Sequence, residues 1–237
     1  MAVKGPSLEM ELYPPFAGFP KEGVAFLAKL KKNNDRAWFT AHKEEYEEFV
    51  RLPMRSLIQA LAAPMRTVAP EVVVDPKKAM FRIHRDTRFS KDKTPYKTHV
   101  AAIFPVPGKW KESAALYLHI EPGEVFLAGG LYMPDGAQLK LVREAIASRS
   151  DEWLAIVGSA AFKRKYGKLE GERLTRNPFG YPQDQPMIEW LKYKQFYVAT
   201  TWKESACHAP SFATKAAAEF RAMMPFVRFL NAAIGRK

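Results

Sequence analysis

Residues 82–97 read Arg-Ile-His-Arg-Asp-Thr-Arg-Phe-Ser-Lys-Asp-Lys-Thr-Pro-Tyr-Lys, so three arginines, three lysines, two aspartates and a tyrosine share sixteen positions. Arginine presents five donors in a planar fork that matches carboxylate and phosphate oxygens. Arg82, Arg85 and Arg88 are therefore candidate anion-binding groups, with Lys97 from the same run and Arg176 from a second basic segment. Guanidinium groups around a bound anion would also stabilise negative charge that develops in a transition state. Asp86 can orient an arginine or act as a base, and Tyr96 and Lys93 can donate a proton, which makes these three the candidate catalytic groups. His84, His99, His119 and Glu121 are candidate acid–base partners wherever the strands bring them to the same pocket. The competing reading is structural, since the same arginines could be satisfied by protein acids alone. Two acids between positions 77 and 97 cannot neutralise eight bases, however. Converging arginines then need a bound anion or a borrowed acid, with Glu121 the nearest donor of one.

The basic charge is concentrated. The chain carries a formal +12; after the 77–97 block, residues 163–176 hold six bases against two acids, and the remaining sequence is close to neutral. A localised excess points to an anionic partner. A small anionic ligand, phosphorylated or carboxylated, is the first reading, with the protein as an enzyme acting on it. Nucleic acid is the second, because Phe89, Tyr96, Trp110 and Phe179 lie near the two basic segments and could stack bases. A non-catalytic module docking an acidic protein is the third. No zinc finger, RNP-type run or basic zipper is present. There is no P-loop, no G-x-G-x-x-G and no nucleophile elbow. No cofactor and no metal site is expected: Cys207 is the single cysteine, His42 with Glu45 has no second ligand pair, and Glu121 with Glu124, flanking a turn, could hold a divalent ion but is the weaker reading.

With 47% hydrophobic residues, a chain of 237 residues can bury a core without disulfide or metal. No apolar run approaches the roughly 20 residues that span a bilayer. One cysteine and the absence of a secretory pattern make the cytoplasm the expected compartment.

The elements that must hold these groups follow from periodicity. Residues 1–20 are Pro- and Gly-rich and read as an irregular arm, and residues 21–237 as a single domain. Val24, Leu27 and Leu30 predict a helix over 21–32, and a second helix runs from about Arg36 toward Ala62, interrupted near Pro53. Five strands are expected: 79–85, 98–104, 114–121, 124–132 and 195–200. The third and fourth form a hairpin about Pro122-Gly123, placing Ile120 opposite Val125 and Leu118 opposite Leu127, with Tyr117, His119 and Glu121 on the other face. Gly129-Gly130 marks a bulge or a close approach to the backbone. Helices follow Asp135 and Ser150, residues 163–180 read as a long loop, and 211–233 as a final helix. Helices, then strands, then helices indicate an α+β fold with a mainly antiparallel central sheet flanked by N- and C-terminal helices.

The run R-x-x-R-D-x-R-F followed by D-K-x-x-Y falls on Arg82, Arg85, Asp86, Arg88, Phe89, Asp92, Lys93 and Tyr96. It resembles the signature of a widespread bacterial family of about this chain's length, a domain of unknown function. The likeness extends to Asn33-Asn34, Trp38-Phe39, Leu118-His119-Ile120, Gly129-Gly130-Leu131 and Glu189-Trp190-Leu191. It covers most of the chain from about Phe19 and implies a single-domain protein, found also within longer fungal chains, with no reaction attached.

Overall fold

The structure, a computed structural model, describes residues 13–107 and 110–236. Residues 13–20 carry neither helix nor strand, and the rest of the expected arm lies outside the described residues. Helix α1 (Lys21–Lys32) buries Val24, Phe26, Leu27 and Leu30 on one side. Asp35 caps α2 (Arg36–Ala41) by accepting from the backbone N–H of Trp38 at 2.9 Å. The helix expected from Arg36 onward is in fact segmented: α3 (Lys43–Tyr46), a π-helical turn over Glu47–Arg51, and α4 (Leu52–Val68). The backbone leaves helical geometry at His42 and then stays helical to Val68, and Pro53 accounts for the π turn. It sits in the first turn of α4, where its missing N–H is tolerated, and the preceding turn widens. A short α5 (Pro76–Ala79), capped by Asp75, leads into the sheet region.

Four strands form an antiparallel meander in the order β1 (Val100–Pro105), β2 (Ala115–Glu121), β3 (Glu124–Leu131) and β4 (Phe196–Lys203). The hairpin register is the expected one, with Ile120 opposite Val125 and Leu118 opposite Leu127. Between β3 and β4 lie α6 (Gly136–Ser148), α7 (Ser150–Val157), α8 (Ala160–Tyr166) and α9 (Ile188–Leu191). Asp135 and Gln138 close a capping box at the start of α6. The chain ends in α10 (Phe212–Ala233), which continues through Pro225.

The expected strand over 79–85 does not form, so among the described residues the sheet has four strands rather than five. Ala79 belongs to α5, and the contact with β1 is a single bridge, Met80 opposite Ala102 with the Phe81 N–H donating to Ala101 O at 2.9 Å. Beyond it the chain turns away and pairs loosely with itself, His84 bridging Tyr96 and the N–H of Arg85 donating to Pro95 O at 2.8 Å. Pro95 has no N–H to return, which prevents a regular ladder. The expected long loop over 163–180 begins later, because Ser159 caps α8 and the helix runs to Tyr166.

One face of the sheet is apolar and packs on α10. Phe104 meets Phe220 at 5.8 Å between ring centroids, and Trp153 from α7 meets Phe229 at 5.1 Å. Gly129 permits the close approach of α10 to β3, since a Cβ there would stand 3.0 Å from Met223 Cβ. The buried carboxylate of Glu219 on α10 accepts from Thr200 of β4 at 2.9 Å and from Tyr166 of α8 at 3.3 Å, and pairs with Lys165 at 2.9 Å. A buried acid is tolerated because all three neighbours meet it. Among the described residues, no helix is long and apolar enough to cross a membrane.

Candidate functional site

Strand alternation sends every second residue to the face opposite α10. From β1 this face receives Ala101 and Ile103, from β2 Tyr117, His119 and Glu121, from β3 Phe126 and Ala128, and from β4 Tyr197. Of these, Ile103, Tyr117, His119, Phe126, Ala128 and Tyr197 floor a cavity of about 410 Å³. Phe81 and Lys97 wall it on the side before β1, Lys111 and Ser113 line it before β2, and Tyr132 and Met133 after β3. Gly130, at φ +142°, lets β3 pass against β4, where a Cβ would fall 2.2 Å from Phe196 O. The volume suits a small organic molecule, and the lining is mostly apolar.

Among the described residues, two buried polar atoms of this lining find no hydrogen-bond partner, Ser113 Oγ and His119 Nε2. An unsatisfied buried donor or acceptor costs about 1–3 kcal/mol, so each such atom needs an explanation. His119 stacks on Phe126 at 5.1 Å, its Nδ1 lies 3.1 Å from Tyr117 Oη, and its Nε2 lies 3.6 Å from Glu121 Oε1. The His99 ring stands 5.0 Å away. Burial pushes the His119 imidazole down to about 4, and burial, then His119 and Lys97, push His99 down to about 4. Both rings are therefore neutral near pH 7, able to donate at one nitrogen and accept at the other. Burial, then Glu121 and Tyr132, raises the Tyr117 phenol, which stays protonated.

Lys97 is half-buried beside them. Its Nζ donates to Arg82 O at 2.8 Å and sits 5.0 Å from the Phe81 ring centroid. Burial and then Arg82 lower its pKa, and no acid forms an ion pair with it among the described residues. A partly desolvated ammonium facing an apolar cavity without a carboxylate favours an incoming anion.

The expected site residues divide between two places. Lys97, His99 and His119 come together at the cavity, and Glu121 adjoins His119. The arginines do not line it. Arg85 is held by Asp92 and the Thr94 hydroxyl, and Arg88 by a two-point contact to Asp86, at 3.0 and 2.7 Å. Arg88 lowers the Asp86 carboxyl, and the Thr94 N–H followed by Arg85 holds Asp92 down to about 2. Arg82 and Arg176 are exposed. Of the three candidate catalytic groups, Asp86 is engaged by Arg88, and Lys93 donates to Thr87 O at 2.9 Å. Tyr96 is buried, stacked on Phe39 at 4.2 Å and clamped through its backbone to the Asn34 side chain. None of the three lines the cavity. His84 is exposed beside Tyr96.

Sequence reasoning had the polar face of the hairpin but missed Ser113, Phe81 and Phe126 as cavity residues. Alternation along the β3 segment placed Phe126 on the His119 face and was the usable signal; a single serine before a strand offers none. Cys207 is buried, its thiol donating to Glu204 O at 3.0 Å, and burial with Glu204 pushes that thiol up to about 12, the signature of an inert structural cysteine.

A family model described as conserved hypothetical protein (DUF2461) matches residues 22–229. No curated protein and no solved structure matches the chain.

Proposed function

The chain belongs to that family of conserved hypothetical proteins, and we propose that it binds an elongated, mainly apolar molecule with an anionic head group in the cavity on the open face of its sheet. The observation that carries this reading is the pair of unsatisfied buried atoms, Ser113 Oγ and His119 Nε2, in an otherwise apolar lining. A ligand that hydrogen-bonds both would remove the cost of leaving them unpaired. Ser113 lies just before β2 and His119 within it, so a ligand that meets both extends along that strand. Lys97 receives the carboxylate or phosphate, because it is the cavity's half-buried cation without an acid partner. The neutral rings of His99 and His119 orient the head group and give a substrate with a labile proton a base to meet.

Calorimetric titration with biphenyl-4-carboxylate and with its neutral amide tests this. The acid is expected to bind more tightly than the amide, and Lys97→Met to remove that difference while leaving the melting temperature near its original value. Equal binding of acid and amide by the original protein would overturn the role given to Lys97.

One observation favours a second reading, nucleic-acid binding. Phe89 is 95% exposed and Phe179 is 104% exposed, and each sits in or beside one of the two basic segments. Arg88 lies 5.8 Å from the Phe89 ring centroid. Exposed aromatics beside cations can stack bases. Tyr96, offered for the same role, is buried. Single-stranded RNA binding at low salt that weakens in Phe89→Ala and Phe179→Ala would support this reading, and no binding at low salt would remove it.

A further inference from the structure

Tyr117, His119 and Glu121 alternate along β2 on the open face, and the turn at Pro122-Gly123 brings Glu124 directly opposite Glu121. Like charges directly opposite in an antiparallel pair are unfavourable, and this pair stands on the last rung of the hairpin. Neither carboxylate is neutralised by a lysine or arginine among the described residues: the ion-pair contact of Glu121 is His119, at 3.6 Å, and Lys203, opposite Glu124 on β4, makes no ion pair with it. One ligand atom from each of His119, Glu121 and Glu124 lies within 4.8 Å of the other two. The imidazole contributes more than proximity. Its Nε2 is buried without a hydrogen-bond partner, while Nδ1 sits 3.1 Å from Tyr117 Oη. With the proton on Nδ1 donating to the Tyr117 oxygen, the Nε2 lone pair is directed toward the carboxylates. A ring held through its far nitrogen is the usual support for a metal-bound histidine.

We infer that His119, Glu121 and Glu124 form a binding site for a divalent transition-metal ion. One imidazole nitrogen and two carboxylates are ligands that zinc accepts, and that manganese and iron accept in related sets. Ligands at about 2.0–2.2 Å in a tetrahedron stand roughly 3.3 Å from one another. The Nε2–Oε1 separation of 3.6 Å is already close to that, and rotation of the glutamate side chains brings in the rest. A dication between Glu121 and Glu124 removes their repulsion and satisfies Nε2 in one step. Three protein ligands leave a coordination position for water or for a ligand's oxygen, as catalytic rather than structural zinc sites do. The metal site and the anion cavity meet at one atom, His119 Nε2, so with a metal bound the cavity offers its ligand Ser113, His99 and Lys97, while Glu121 and Glu124 lie outside the lining.

Zinc titrated by calorimetry into chelator-treated full chain, with no organic anion present, is the test. One equivalent is expected to bind and to raise the melting temperature. Glu121→Gln and Glu124→Gln should each weaken zinc binding by about tenfold or more, while His42→Gln, at a separate His–Glu pair, leaves it unchanged. Glu124→Gln is exposed to little folding risk and separates the readouts further: without metal it should melt no lower than the original protein, since it relieves a like-charge pair. Cobalt should give the visible absorption of a low-coordinate site. Absence of stoichiometric zinc, manganese and cobalt binding, or undiminished zinc affinity in both glutamine variants, would overturn the site. Anion titrations run in chelator report on the cavity alone, so failure of either idea is seen separately.

Discussion

The imidazoles of His99 and His119 lie 5.0 Å apart, one just before β1 and the other within β2, on the face of the sheet that α10 leaves open. Their closeness follows from the register, which sets Ala101 opposite His119 and so leaves His99 one rung farther along the same face. Two bases of the same type this close, in a largely apolar setting, resist protonation together.

Burial, joined at His99 by His119 and Lys97, makes the two rings contribute to the loss of stability in acid. Both folded imidazoles are pushed down to about 4 from an ordinary value of 6.5. Between pH 6.5 and 4 the unfolded chain takes up protons that the folded chain refuses, so stability falls as pH falls through this window and is unaffected by these groups above it. The ceiling is roughly 3 kcal/mol per ring. Melting temperatures in chelator should drop over this window, and the double variant His99→Gln/His119→Gln should drop less. Parallel curves would contradict the burial of the two rings. The carboxylate of Asp92, held down to about 2, contributes its loss at lower pH and does not blur the result.

Gly129 and Gly130 set how closely the layers approach. Gly129→Ala drives a methyl against Met223 Cβ at 3.0 Å and Leu116 Cδ2 at 3.2 Å, and should cost about 1–3 kcal/mol in urea unfolding. Gly130→Ala meets backbone, Phe196 O at 2.2 Å, at a φ of +142°, and should cost more. An equal or smaller loss at Gly130 would contradict the β3–β4 spacing.

The arginine loop should prove structural and weakly so. Arg85 and Asp92 form a surface pair, and Arg85→Ala is expected to lower stability by no more than about 1 kcal/mol. Affinity for biphenyl-4-carboxylate should be unchanged within error. A folded Arg85→Ala that loses the ligand would return the site to the arginines.

Much of the fold was legible because a few local rules sufficed. The two-residue turn after Glu121 fixed the hairpin register, and with it the face shared by Tyr117, His119 and Glu121. The helical spacing of Val24, Leu27 and Leu30 and the acid at Asp135 marked helices that form as expected. Residues 79–85 misled because alternation describes a strand's faces but not whether a partner offers a ladder, and Pro95 does not. The pairing within the arginine cluster was hidden for a similar reason. Composition counts charges over a segment, whereas pairing is decided by loop geometry, and here the loop returns Asp86 to Arg88 and Asp92 to Arg85. The cavity is assembled from residues on four strands and the segments before and after them, so its outline required the sheet order, which no single stretch of sequence carries.

The most direct measurement is amide chemical-shift mapping of the isotopically labelled protein during titration with biphenyl-4-carboxylate. Shifts should concentrate at Ala101–Ile103, Tyr117–His119, Ala128–Gly130 and Tyr197, and be weak over residues 85–94. Shifts centred on residues 85–94 with a silent sheet face, or none at all at saturating ligand, would contradict the assignment of the binding site to the open face of the sheet.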